Sequence, residues 1–232
     1  MKRDDEEHAR YPCPADGSEL YGWTAAHDPL DRGRRIVLDR CEECGLSVTR
    51  DGYPPDVDAE LDALIETAPD GSVVLTAPNR RSWSGGIGGA QWAGLEPELH
   101  RLHLTPEAAR LLLSLRGLTA EEARTPFSRE GRRLMIQTFL NAFTYRDNFL
   151  ANARSGRLQP STGRERWLHR LDWVVTVLVY VPAAILAVPL EAVAASVGRG
   201  GVMVAEFGVA PRSRGDKYGG GAGPDQSEEG SE

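Results

Sequence analysis

Two short cysteine-bearing segments constrain this chain more than anything else in it. They read Cys13-Pro-Ala-Asp16-Gly17 and Cys41-Glu-Glu-Cys44-Gly45, with 24 residues between Asp16 and Cys41. A metal-binding knuckle turns its backbone N–H groups toward the sulfurs. A Cβ at the next position obstructs that turn, and both segments end in glycine. Between them, Ile36-Val37-Leu38 has the character of a strand that delivers Cys41. The pattern is that of a degenerate zinc ribbon over 11–50, with its second cysteine changed to Asp16. Zn²⁺ accepts carboxylate oxygen, so Cys13, Asp16, Cys41 and Cys44 can still close a tetrahedral site, with His8 or His27 as a substitute fourth ligand. The alternative is a metal-free ribbon packed around Tyr21 and Trp23. Any metal here is structural, because a closed site has no open position for chemistry.

Three cysteines, two of them in a C-x-x-C, suit a reducing compartment better than a disulfide framework. Met1 to Arg10 is charged throughout and does not read as a signal peptide, which makes the expected location cytoplasmic. The formal net charge of −7 argues against nucleic acid as a partner. Charge is unevenly spread, however: Arg124 to Arg170 holds ten arginines and three acids.

After a turn-rich linker (Asp51 to Asp58), Leu61, Leu64 and Ile65 stand at helical spacing, predicting a helix over Ala59–Ala68. Val73 to Thr76 then reads as a short buried strand stopped by Pro78-Asn79. Thr105-Pro106-Glu107 is an N-cap, a first-turn proline and a first-turn acid, opening a helix to Arg116 with Leu111, Leu112 and Leu115 buried and Gly117 as its stop. Between strand and helix lies a loop of more than 25 residues carrying Trp83, Trp92, His100 and His103.

The order Thr76-x-Pro78-Asn79, then Trp92-x-Gly94-Leu95-x-Pro97 and His100, then Thr105-Pro106 and a leucine-rich helix, resembles the C-terminal half of class I S-adenosylmethionine-dependent methyltransferases. It is closest to the ubiquinone-biosynthesis-like branch with a Cys-rich N-terminal segment. The resemblance covers 58–209. It implies an α+β chain with a partial methyltransferase-like sheet of about three strands: Val73–Thr76, Leu118–Thr125 and Val202–Phe207, the last antiparallel to the first. It also implies an acceptor-side site, with Asn79 and Trp92 binding substrate and His100 as general base or orienting group; a loop-anchoring role for His100, and loop-pinning for Trp83 and Trp92, read at least as well. His103 is expected to pack at the helix start.

The donor side is missing. Gripping S-adenosylmethionine takes a strand, a Gly-rich turn, a helix and an acid after the second strand, about 100 residues in a family member. No segment from Gly45 to Asp58 can hold that. The one Gly cluster, Ser84 to Gly89, lacks the G-x-G-x-x-G spacing and reads as a flexible substrate-side loop. The expectation is a methyltransferase-like protein that is non-catalytic alone. The alternatives are an enzyme completed by a partner chain or homodimer supplying S-adenosylmethionine binding, and a membrane-associated zinc-ribbon interaction protein. A half sheet also leaves an unpaired edge, to be covered by the ribbon, the tryptophan loop or a second chain.

Downstream, Ser128 caps a helix with Met135, Ile136, Phe139, Leu140, Phe143 and Leu150 on one face, and Arg154 to Arg170 reads as a basic loop. Trp173 to Leu190 is 18 residues without a charge, at the threshold of a membrane span. Pro182 and Pro189 favour a soluble or membrane-touching helix over a span. With the basic stretch before it, 164–190 suits an anionic membrane surface. If the run did span, Arg164, Arg166 and Arg170 would put that side in the cytoplasm. The ends, 1–10 and 211–232, have the composition of disordered tails.

Overall fold

The computed structural model describes residues 11–31, 33–67, 72–97 and 99–209. Both tails expected to be disordered lie outside that range, as does His8.

Two four-stranded antiparallel sheets organise the chain, in an α+β arrangement with six α-helices among the described residues. The first holds β1 (Leu20–His27), β2 (Arg35–Cys41) and β3 (Ser47–Thr49), with β6 (Leu102–His103) pairing to β3. This first sheet thus takes its fourth strand from far along the chain. The second sheet runs β4 (Ile65–Thr67), β5 (Val73–Pro78), β8 (Val202–Val209), β7 (Leu118–Arg124). β5 and β8 pair antiparallel from Val73↔Phe207 to Pro78↔Val202, the relative direction expected for these two strands. β7 forms despite the helical propensity of its Ala-Glu-Glu-Ala centre, because β8 offers backbone partners on both sides of a register shift between Ala120 and Glu122.

The helix expected over Ala59–Ala68 is shorter. α1 (Val57–Asp62) is capped by Asp56 and ends at Ala63. Ile65-Glu66-Thr67 then turns extended and pairs with Val73–Leu75. That hairpin, rather than the ribbon segment or the tryptophan loop, covers the edge of β5 left open in the sequence reading.

The long loop is largely structured. Ser82 caps α2 (Trp83–Gly88), its hydroxyl accepting from the Gly85 N–H, and a 3₁₀ turn follows at Gly89–Gln91. Gly85 and Gly88 are required by close packing. A Cβ on Gly85 would lie 2.5 Å from the Arg80 carbonyl, and one on Gly88 would lie 2.6 Å from the Thr138 methyl. The Ser84–Gly89 stretch is therefore a packed helix and not a flexible loop.

α3 (Pro106–Leu115) starts at Thr105 as expected, but it buries Ala108, Ala109, Leu112 and Leu113, leaving Leu115 exposed. Small alanines at i and i+1 let this face come close to the sheet. α4 (Arg129–Asn141) buries Met135 and Leu140 but ends before Phe143, which is exposed; Leu150 belongs to α5 (Phe149–Arg154). α6 (Gly163–Ser196) begins ten residues earlier than the apolar run, on a reciprocal cap between Thr162 and Glu165, and continues through both prolines. Only the first part of the expected basic loop stays irregular.

One apolar cluster joins ribbon and helices: Cys13, Cys44, Leu46 and Val48 pack with Leu61, Leu75, Leu104, Leu112, Leu113 and Phe207. The Thr105 hydroxyl, which caps α3, also donates to the Cys44 carbonyl at 2.6 Å. The second knuckle is thus fastened to the start of α3.

Candidate metal centre and surrounding residues

Cys13 and Asp16 sit in a turn that Gly17 closes at φ +74°, and Cys41 ends β2 before a turn that Gly45 closes at φ +75°. That left-handed conformation explains both glycines. The Ala15 N–H points at the Cys13 sulfur (3.4 Å) and the Cys44 N–H at the Cys41 sulfur (3.3 Å), the knuckle geometry expected from the sequence.

The two turns meet. One donor atom from each of Cys13, Asp16, Cys41 and Cys44 lies within 4.8 Å of all the others. Cys13 Sγ and Cys44 Sγ are 3.6 Å apart, and Cys41 Sγ is 3.3 Å from Asp16 Oδ2. The three sulfurs are buried and Asp16 is exposed. The group could hold a metal ion.

Its electrostatics suit a cation. Burial opposes ionisation of Asp16, yet hydrogen bonds from the Ser18 hydroxyl and backbone N–H hold its carboxyl well below the usual range. The hydrogen bond from Cys44 lowers the Cys13 thiol to about 7, against a desolvation penalty. The same hydrogen bond, with burial, pushes Cys44 up. A metal would remove that asymmetry by replacing the shared proton.

Ser18 is a participant that the cysteine pattern does not announce. Its hydroxyl bridges Asp16 Oδ1 (2.5 Å) and Cys41 Sγ (3.0 Å), linking the two turns. The signal available was its place two residues after an Asp-Gly turn residue, where side chain and backbone commonly exchange hydrogen bonds. His27 stands at the opposite end of β1 from Leu20, the residue that pairs with Cys41, some 23 Å away at the usual rise per strand residue. It is not a ligand.

The three residues assigned to an acceptor site are not gathered in one cavity. Asn79 is 1% exposed; its amide donates to the Gly200 carbonyl and accepts from the Arg81 N–H, tying β5 to the chain before β8. Trp92, also 1% exposed, donates to Ser84 Oγ and packs with Ala26, Leu38 and Leu95. His100 is partly exposed, its Nδ1 3.7 Å from Glu60, in a groove beside Pro54 and Pro55. His103 is fully buried in β6. Burial, with His100 and Arg80 adding positive potential, lowers its pKa to about 3, so it is neutral. Arg80 stacks 3.9 Å over the Trp23 ring, which compensates a buried cation that burial and Arg40 lower to about 10.

α6 is the other conspicuous feature. Asp172, Thr176, Ala183, Ala187, Glu191 and Ala194 form one buried stripe along it. Gly131 of α4 meets Glu191 near one end, and the Tyr145 N–H after α4 donates to Asp172 at the other, so the two helices run antiparallel in contact. From Trp173 to Leu190 the rest of the α6 surface is apolar and largely exposed: Val174, Val177, Leu178, Val181, Ile185 and Leu186 are each more than half accessible. Its most apolar 18-residue window has mean hydropathy 2.2 and is 17% buried.

No family model, no curated protein and no solved structure matches this chain.

Proposed function

We propose that this protein is a membrane-surface interaction protein: α6 lies in the plane of a bilayer and the metal-closed ribbon holds the rest of the chain above it. The observation that carries this reading is the broad apolar surface of α6, with Leu178 70% and Ile185 68% exposed. Such a surface on a water-filled side is costly, since each Leu or Ile side chain gains about 1.5–3 kcal/mol on full burial. Trp167 and Trp173 stand where the apolar stretch begins, beside Arg164, Arg166 and Arg170. Aromatic rings and arginines of this kind favour the boundary between headgroups and acyl chains.

Lying in the interface fits better than crossing the membrane. α6 is about 51 Å long at the usual helical rise, against about 30 Å for the hydrocarbon core. Its buried stripe keeps α4 alongside, with Arg129, Glu130 and Arg133 exposed. A spanning α6 would draw those charges toward hydrocarbon, at about 2.5–3.5 kcal/mol for each Arg near the centre.

Zinc is the metal this reading assigns to Cys13, Asp16, Cys41 and Cys44. Tetrahedral Zn–S bonds of about 2.3 Å require sulfurs about 3.8 Å apart, close to the 3.6 Å between Cys13 and Cys44. Four protein donors leave no position for chemistry, so the ion would stabilise the fold.

The resemblance to methyltransferases is read as descent without cofactor binding. The packing of Gly85 and Gly88 against Arg80 and Thr138 supports this, since those glycines serve the interior. Two experiments test the proposal. The whole chain should co-sediment with phosphatidylcholine vesicles without detergent; a chain that stays in the supernatant rejects membrane association. Calorimetric titration with S-adenosylmethionine should give no heat, and micromolar binding would reject the non-catalytic reading.

A further inference from the structure

A second site lies where α6 begins. An open cavity of about 600 Å³ is lined by Arg146, Arg157 and Arg164, with Tyr145, Thr162 and Leu168 among its other walls. We propose that it takes the phosphate monoester headgroup of a membrane lipid. This inference rests on the membrane-surface reading, because α6 is what would bring a lipid to it.

Three arginines converge on the cavity and none forms an ion pair with a described residue. Arg146 holds Nη1 out of solvent with no hydrogen-bond partner. Arg157 has only the Asn152 amide oxygen, at 3.2 Å. A guanidinium nitrogen held out of water without an acceptor is costly, and the guanidinium is the group best suited to bind a phosphate with two parallel hydrogen bonds.

Two carboxylates also line the cavity, and both are engaged. Asp31 accepts from the Gly33 N–H at 3.0 Å. Glu165 accepts from the Ser161 N–H and hydroxyl and completes the cap of α6. They leave three cations against two anions, an excess suited to an anion. A monoester, which carries a second negative charge near neutral pH, gains more from a cluster of arginines than a diester does.

The position selects a lipid over a soluble ester. Arg164 and Leu168 line the cavity, and Trp167 and Leu171, one residue from it and one turn on, are exposed beside the apolar surface. Arg164 is nine residues before Trp173, about 13 Å along the helix. A headgroup in the cavity would leave its acyl chains running along the exposed side of α6. The sequence signal is the unequal spread of arginine through Arg124–Arg170, of which the segments flanking α5 and the start of α6 bring three to one cavity.

The experiment is vesicle co-sedimentation of the full chain on phosphatidylcholine alone, with phosphatidylglycerol, and with phosphatidic acid at equal surface charge. Wild type should bind phosphatidic acid vesicles at least about tenfold more tightly than phosphatidylglycerol vesicles. Arg157→Gln, at an exposed side chain and checked for folding because it donates to the buried Asn152, should lose that preference and keep binding to neutral vesicles. Arg146→Gln, checked for folding by circular dichroism, should do the same. Equal binding to the two anionic surfaces, or a preference unchanged in the variants, overturns the site. Tight binding of soluble glycerol 3-phosphate without vesicles overturns the lipid as its source. If wild type binds no vesicle of any kind, the membrane reading has failed, which is a different result from binding all of them equally.

Discussion

Replacing Leu178 and Ile185 together by serine should detach the protein from membranes while leaving its fold intact. The two positions are seven residues apart on α6, on one side of the helix and off the buried stripe. They are 70% and 68% exposed, so in water the change touches little that is packed. Surface substitutions of that kind move stability by no more than about 0.5 kcal/mol. In a bilayer interface each side chain contributes near the low end of the range for full burial, about 1.5 kcal/mol. Losing both weakens partition by about 3 kcal/mol, on the order of a hundredfold. Sedimentation with sucrose-loaded phosphatidylcholine vesicles reads the partition coefficient, and a urea melt of the same protein reads its stability. The contrasting substitution is Ala187→Leu, on the buried stripe at 0% exposure. Overpacking there should cost about 1–3 kcal/mol of stability. A double serine variant that binds vesicles as wild type does, or that loses stability as Ala187→Leu does, would refute the assignment of the two faces.

Metal analysis of purified protein should find one zinc per chain, lost in Cys41→Ser together with stability; a metal-free chain with unchanged stability would reject the centre. Gly85→Ala should destabilise by about 1–3 kcal/mol, because its Cβ meets the Arg80 carbonyl. Gly86→Ala, where a Cβ meets nothing within 4 Å, should be neutral or stabilising by about 0.5–1 kcal/mol in a urea melt; equal effects would contradict the packing role. For His103 the folded pKa, about 3, lies below the ordinary histidine value of 6.5. The unfolded chain therefore binds the extra proton first, and stability falls as pH drops from about 6.5 toward 3, by up to about 1.4 kcal/mol per pH unit. Unfolding free energies at pH 7 and pH 5 should show that loss in wild type and a smaller one in His103→Gln; identical slopes would count against a neutral buried His103.

Local chemistry decided which parts of this fold the sequence announced. Thr105-Pro106 and Ser128 start helices because their side chains satisfy N–H groups within three residues, and such caps are written in adjacent letters. The knuckle glycines are legible for the same reason. Long-range partners were not. Ile65–Thr67 became a strand because Val73–Leu75 returned beside it, whereas its leucine spacing suggested a longer helix. The buried face of α3 is only partly legible, because Ala108 and Ala109 meet the sheet beside Leu112 and Leu113 while Leu115 is exposed. The Thr162–Glu165 cap was present in the sequence, hidden by the density of arginine around it. Asn79 and Trp92 drew attention as site residues; both have their polar atoms committed to the interior.

The most direct measurement is the immersion depth of α6. A nitroxide carried on a non-cysteine amino acid, introduced in turn at Val174, Leu178, Val181, Ile185 and Val188, reports depth through its relaxation by oxygen and by a water-soluble nickel chelate on phosphatidylcholine vesicles. All five should sit at similar shallow depth, as along a helix parallel to the membrane plane. A depth that rises to a maximum near Val181 and falls again would mean that α6 crosses the bilayer, and no protection from the nickel chelate at any position would mean that it does not meet one.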